Sequence, residues 1–246
     1  MNQSINQSTA AAPLEIGMLI YPGMTALDMV APQLVFANLM DVRVHLLWKT
    51  LAPVASDSGM AILPTCTLDD CPRDLDLLFV GGSKADTWPL LADAEVIDFL
   101  ADRGTRAKWV TSVCTGSLLL GAAGLLDGYR ATSHWAVRHL LAMTGAIPTD
   151  DRVVTDRNRI TGGGVTAGMD FGLTIAAMLR GEHYAKTLQM LFEYDPQPPF
   201  QTGAPHSAEA EVLQTATQIY AAEIERAEAS VRALQRHLVE REEAVK

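Results

Sequence analysis

Residues 108–126 read KWVTSVCTGSLLLGAAGLL, and this stretch decides the fold. Its first part, Lys108 to Val113, is a short apolar run of the kind that forms a strand buried on both faces of a sheet. Cys114-Thr115-Gly116-Ser117 then opens the helical run LLLGAAGLL. A strand that turns directly into a helix is the building unit of a parallel α/β sheet. The side chain at such a turn projects out of the sheet toward the crevice where ligands bind, which singles out Cys114.

Working outward, the same alternation recurs. Leu14 to Tyr21 (LEIGMLIY) is an apolar run closed by Pro22-Gly23, expected as a buried first strand. Leu27, Val30, Leu34 and Phe36 allow a helix over 27–39, with Pro32 tolerated only in its first turn. Val42, Val44, Leu46 and Trp48 alternate with polar residues as a second strand, and 52–63 reads as a hairpin turning near Asp57-Ser58-Gly59. Asp76 to Val80 is a further buried strand running into Gly81-Gly82, with a helix expected around 89–103. A short amphipathic helix is expected at 135–143, a hairpin at 152–161 turning near Arg157-Asn158, and helices over about 167–180 and 182–193. Strands alternating with helices imply a mostly parallel sheet with helices on both faces.

The 246 residues suit one α/β domain and an appendage. Residues 1–13, polar and without a basic or apolar segment, read as a disordered leader rather than a signal peptide. Residues 14–205 form the domain, ending in the proline-rich 195–199. Residues 206–246 are a helical extension, free of Pro and Gly over 207–243. Its stripe of Leu213, Ile219, Ile224, Val231, Leu234 and Leu238 must bury against the parent domain or a partner subunit, and a dimer interface is the expectation.

The net charge of −10 argues against nucleic acid, which needs clustered Lys and Arg. It gives no reason to expect an anionic substrate or a membrane surface. Three cysteines without metal-ligand or disulfide spacing point to a reducing, cytoplasmic compartment. No Walker loop, HExxH or metal-ligand cluster is present, so no metal and no cofactor are expected.

Three features should lie beyond the carboxyl ends of the strands: Asp28, Gly81-Gly82 and Cys114. The helix starting at Thr115 aims its free N–H groups at the sulfur and favours thiolate. The structural alternative is that Cys114 is a small buried hydrophobe. Asp28 is either a first-turn helix acid or a desolvated carboxyl that exchanges a proton with the reacting centre. Gly81 and Gly82 offer backbone N–H groups to developing negative charge, or merely form a tight turn. His134 could pair with Cys114 as a base, but a histidine satisfied within a helix start is the favoured reading, and Asp170 suits a helix N-terminus.

VTSVCTGSLLLGAAGLLDGYRATSHW (110–135), GGGVTAGMDF (162–171), EYDPQPPFQTGAP (193–205) and LDMVAP (27–32) together resemble the ThiJ/PfpI superfamily, with HLLWK (45–49) and DDCP (69–72) adding to the match. The resemblance implies a flavodoxin-like three-layer sandwich, a homodimer and Cys114 as nucleophile. It further implies Asp28 as the acid/base carboxyl, Thr115 as the polar neighbour of the sulfur, and the backbone near Val165 close to Cys114. The activity it implies is hydration of an isonitrile, a small uncharged organic substrate, without a cofactor. Peptidase-like members place His after the cysteine, where this chain has Thr115, and many members carry Glu where it has Asp28. Ser83-Lys84-Ala85-Asp86 also departs from the Gly-rich loop expected of a hydratase. The same motifs resemble the ligand-binding half of AraC-type transcription regulators, which leaves a ligand- or redox-sensing module as one alternative. Activity on a small carbonyl compound is another. The mixed-charge stretch after Pro205 is too short for two DNA-binding motifs, so DNA binding is not expected.

Overall fold

The computed structural model describes residues 12–244, with side chains as far as Arg236. The expected leader lies almost wholly outside the described residues, as does the side chain of Leu238. Elements follow in the order β1 (Leu14–Leu19), α1 (Ala26–Ala37), β2 (Val42–Trp48), β3 (Val54–Ala55), β4 (Ala61–Ile62), β5 (Cys66–Thr67) and β6 (Leu77–Val80). Then come α2 (Thr87–Leu90), α3 (Ala94–Arg106), β7 (Trp109–Val113), α4 (Gly116–Ala122) and β8 (Arg130–Ala131). A 3-10 helix (Arg138–Thr144), β9 (Ile147–Pro148), β10 (Val153–Asp156), β11 (Arg159–Gly162), α5 (Ala167–Arg180), α6 (Glu182–Leu191) and α7 (Ala210–Ala244) complete the chain.

Seven strands form one sheet in the order β10-β11-β7-β6-β1-β2-β5. All neighbours are parallel except the β10–β11 hairpin. From β1 the chain first builds outward to β2, then crosses to β6 on the other side. That reversal opens a crevice at the carboxyl ends of β1, β6 and β7, where open α/β sheets bind ligands. Register places Leu19 beside Val80 and Val80 beside Ser112, so the three segments leave the sheet side by side.

The strands are apolar because both sheet faces are covered. Phe36 of α1, Phe79 of β6 and Phe171 of α5 meet at ring separations of 5.7–6.3 Å on one face. There α1 and α5 approach closely: a Cβ at Gly168 would lie 2.9 Å from Pro32 Cδ, and one at Gly172 2.9 Å from Val35 Cγ2.

Several expectations need correction. Pro32 lies inside α1, not in its first turn. It removes the N–H that would bond the Asp28 carbonyl, and its ring packs against Gly168. The expected helix at 89–103 is two helices, because Asp93 caps α3 by accepting from Val96 N at 3.3 Å. The helix after Cys114 stops at Ala122, where Gly124 takes φ +72°. The helix expected at 135–143 is of the 3-10 type and ends at Gly145, φ +81°. On α7, Ala227 and Val231 are fully buried against the chain's own domain, while Ile219 is 63% exposed. The buried seam runs through Tyr220 instead, one residue and about 100° further round the helix.

Candidate active site

Cys114 sits at the carboxyl end of β7 with φ +58°, the left-handed region that a residue with a side chain adopts only when its surroundings enforce it. Its N–H is held by the carbonyls of Gly162 (3.1 Å) and Gly163 (2.8 Å) at the end of β11. Gly116 is required behind it, since a Cβ there would strike the Val80 carbonyl oxygen. Gly82 is confined likewise: a Cβ would meet Thr115 N at 2.5 Å and Cys114 Cβ at 3.0 Å. Backbone packing therefore fixes the Cys114 backbone and Cβ.

Asp28 comes from α1, after β1, and is fully buried. Its Oδ2 accepts from Gly82 N at 2.9 Å, while Oδ1 has no partner among the described residues. Burial pushes the carboxyl up to about 7, with the Gly82 N–H and the neighbouring Cys114 thiol pulling the other way. Cys114 Sγ is close enough to Asp28 for each to shift the other's titration, without the geometry of a formed hydrogen bond. The thiol is itself pushed well above its ordinary range, first by burial and then by the Asp28 charge. The backbone N–H groups of Thr115 and Val165 oppose this. Burial and the neighbouring carboxylate thus act against the thiolate that the start of α4, two turns long, favours.

Thr115 turns its hydroxyl away from the sulfur. It donates to the Ser83 carbonyl (2.9 Å), accepts from Ser83 N (2.9 Å) and meets Thr87 Oγ1 at 2.7 Å. Tyr21 OH extends the network, donating to the Gly81 carbonyl (3.1 Å) and lying 3.2 Å from Thr87 Oγ1. This web ties the 81–87 loop to the Cys114 turn. Gly82 spends its N–H on Asp28, so this glycine holds the carboxyl.

The pocket over Cys114 has about 30 Å³ of free space. Thr115 and Val165 line it, and so do residues whose part the sequence does not reveal: Thr25, Trp88, Val137, Tyr220 and Glu223. Tyr220 of α7 stacks on His134 (ring centroids 5.1 Å, 29°) and meets Trp135 edge-on at 5.9 Å. Lys84 Nζ lies 5.3 Å from the centre of the Tyr220 ring. Burial lowers the His134 pKa to about 4, leaving it neutral, and its Nδ1 accepts from Ala136 N (3.4 Å). No hydrogen bond joins His134 to Cys114 among the described residues. Asp170 lies in the first turn of α5, as expected of a helix acid, and also meets Arg152 and Tyr194 OH (3.0 Å). Cys66 and Cys71 are unpaired and lie away from this pocket.

The profile of the DJ-1/PfpI family matches residues 15–178. An isonitrile hydratase of Pseudomonas putida is 50% identical over 203 residues, which cover 82% of this chain and 88% of that protein. The crystal structure of a ThiJ/PfpI family protein from Pseudomonas syringae superposes with a TM-score of 0.88 at 48% identity, covering 94% of this chain and 97% of that one. The HTH-type transcriptional regulator GbdR of Pseudomonas aeruginosa is 30% identical over 193 residues, 74% of this chain but 51% of the regulator.

Proposed function

The chain belongs to the DJ-1/PfpI family, and from that premise we propose that it is an isonitrile hydratase, converting R–N≡C and water to an N-substituted formamide. The observation that carries this reading is a fully buried carboxyl, Asp28, beside the buried Cys114, with no histidine hydrogen-bonded to the sulfur among the described residues. A neutral substrate suits such a pair, because no charge has to be brought into the pocket.

With both groups pushed up by burial, the pair titrates as a unit and keeps at least one proton around neutral pH. The isonitrile's terminal carbon carries a lone pair and also accepts a nucleophile. As Cys114 Sγ bonds to this carbon, the pair's proton passes to it, giving the thioimidate R–N=CH–S–Cys114. The emerging charge is then on Asp28, where Gly82 N–H stabilises it. Water adds to the C=N carbon, delivering one proton to nitrogen and leaving its hydroxyl on carbon. Collapse of this adduct breaks the C–S bond, and the hydroxyl proton returns to the Asp28–Cys114 pair as R–NH–CHO departs. Thr115 acts through its backbone N–H at the sulfur and through its hydroxyl as the brace of the 81–87 loop. Val165 supplies a second N–H near Sγ.

Residues 14–205 carry this chemistry in our reading, and 206–246 form an extension that closes the pocket. A homodimer belongs to the same reading. Leu27, Val30 and Leu34 line one exposed stripe of α1 that a second copy would cover, and light scattering at micromolar concentration tests it. A reducing, cytoplasmic setting fits three unpaired cysteines.

The test is proton NMR of the protein with an alkyl isonitrile, following the N-formyl proton, with Cys114→Ala in parallel. Formamide from the natural chain alone, with turnover lowered at least about a thousandfold in Cys114→Ala, is the expected result. No formamide from a chain whose Cys114 still reacts with iodoacetamide would sink the hydratase reading in favour of ligand or redox sensing, or of a small carbonyl substrate.

A further inference from the structure

The space directly over Cys114, about 30 Å³, holds a water molecule or the two-atom head of an isonitrile but no substituent. Beside it, between α2 and α7, runs a groove of about 680 Å³, within the ~300–1,000 Å³ usual for small-molecule sites. The two spaces share a wall: Trp88 lines both. On α7 the passage from one to the other takes a single turn, from Glu223 over the pocket to Arg226 in the groove. Arg226 Nη1 is held by Glu223 Oε1 at 3.2 Å, which keeps the guanidinium at the boundary. Further along, Ala92, Ala229 and Ala233 leave the groove its room.

The boundary also carries unspent polar atoms, one on the shared Trp88 and one on Glu223 of the pocket. Trp88 is 5% exposed, and its indole N–H has no acceptor among the described residues. Glu223 Oε2, buried as well, has no donor. Buried polar atoms are satisfied as a rule, so an unpartnered donor on the shared Trp88 and an unpartnered acceptor on Glu223 of the pocket point to a ligand that reaches both. An isonitrile brings an acceptor, the lone pair on its terminal carbon, but no donor. The formamide made from it brings both, a carbonyl oxygen and an N–H.

We propose that the substrate's R group lies in the α2–α7 groove, so that the favoured substrates are isonitriles with a large apolar R group, aryl or long-chain alkyl. The inference rests on the hydratase reading for its chemistry. The groove's α7 wall lies wholly beyond residues 15–178, the part that the family profile matches.

Steady-state formamide production from methyl isonitrile and from 4-phenylbutyl isonitrile is the test, in the natural chain and in Ala229→Phe/Ala233→Phe, which fills the groove. The natural chain should prefer the larger substrate by about tenfold or more in kcat/KM. The filled variant should bring that ratio toward one. Circular dichroism checks its fold, and Ala233→Leu, a smaller filling, lowers the ratio part-way if the double variant does not fold. A natural chain without preference, or variants that slow both substrates with the ratio intact, overturns the proposal. A filled variant that changes oligomeric state by light scattering gives the groove to a second copy and also overturns it. If neither isonitrile is turned over, the hydratase reading itself has failed. Calorimetric titration of N-(4-phenylbutyl)formamide then decides the groove alone: binding lost in the filled variant keeps it as a ligand site, and no binding removes it.

Discussion

The pocket has a floor and a roof built on different principles. The floor, Asp28, Gly82 and Cys114, comes from α1 and the ends of β6 and β7 and is fixed by backbone: a left-handed cysteine, glycines where a Cβ would collide, and a carboxyl held by one N–H. The roof, Tyr220 and Glu223 with His134 beneath them, is fixed by side chains: stacked rings, a lysine over an aromatic face, one ion pair. A backbone-built floor suits chemistry, because it holds reacting atoms within a fraction of an ångström. A roof of packed side chains suits selection, because it changes with single substitutions and leaves the sheet untouched. Floor substitutions should therefore act on kcat and on folding, and roof substitutions on KM.

The largest test of that division after the nucleophile itself is Asp28→Asn. Losing the group that shares the proton should lower kcat by about 10²–10⁴-fold with KM little altered. The same substitution should change stability in a pH-dependent way. The folded state raises Asp28 to about 7, so it holds the proton more tightly than the unfolded chain does. That stabilisation is complete below the unfolded value near 4 and is lost as pH rises through about 7. Urea unfolding at pH 8 should thus find Asp28→Asn more stable than the natural chain by on the order of a few kcal/mol, with little difference at pH 4. A less stable variant at pH 8 would mean that burial is not what perturbs this carboxyl.

Next in size is Gly82→Ala. Its methyl would press on Thr115 N and Cys114 Cβ, the two atoms that set the elbow. A loss of about 1–3 kcal/mol in stability is expected, together with lower kcat. An unchanged melting temperature would show that the floor is softer than its contacts suggest.

How much of this was legible in the sequence follows the same division. Cys114 and Asp28 could be found because each is a local signal, a polar or reactive side chain at a strand end in an apolar context. The parallel sheet was readable from its buried runs. What the sequence left open is direction. It offers the N–H groups of Gly81 and Gly82 but not their target, and Gly82 turns out to serve Asp28. It suggests a helix dipole at the sulfur but not the burial that opposes it. Two-residue strands such as β5, β8 and β9 are too short to leave a periodicity. Tyr220 and Glu223 look like ordinary members of a mixed-charge helix. Only the docking of α7 onto the domain, more than a hundred residues from Cys114 in sequence, brings them to the pocket.

The smallest expected effect probes the roof alone. Tyr220→Ala removes the ring that stacks on His134 and covers the pocket, without touching the Asp28–Cys114 pair. Apparent KM should rise about tenfold while kcat stays within about twofold, the pattern of lost uniform binding. His134 supplies an independent readout. Burial now holds its pKa near 4, below its unfolded value of about 6.5, so the folded state binds this proton less well. Stability from this source is complete above about 6.5 and is lost as pH falls toward 4. Exposing the ring should move its NMR titration up toward 6.5 and flatten the stability profile between those limits. Tyr220→Phe keeps the stack and should leave both near their natural values. If Tyr220→Ala instead lowers kcat as far as Asp28→Asn does, roof and floor are one machine, and the separation of chemistry from selection fails.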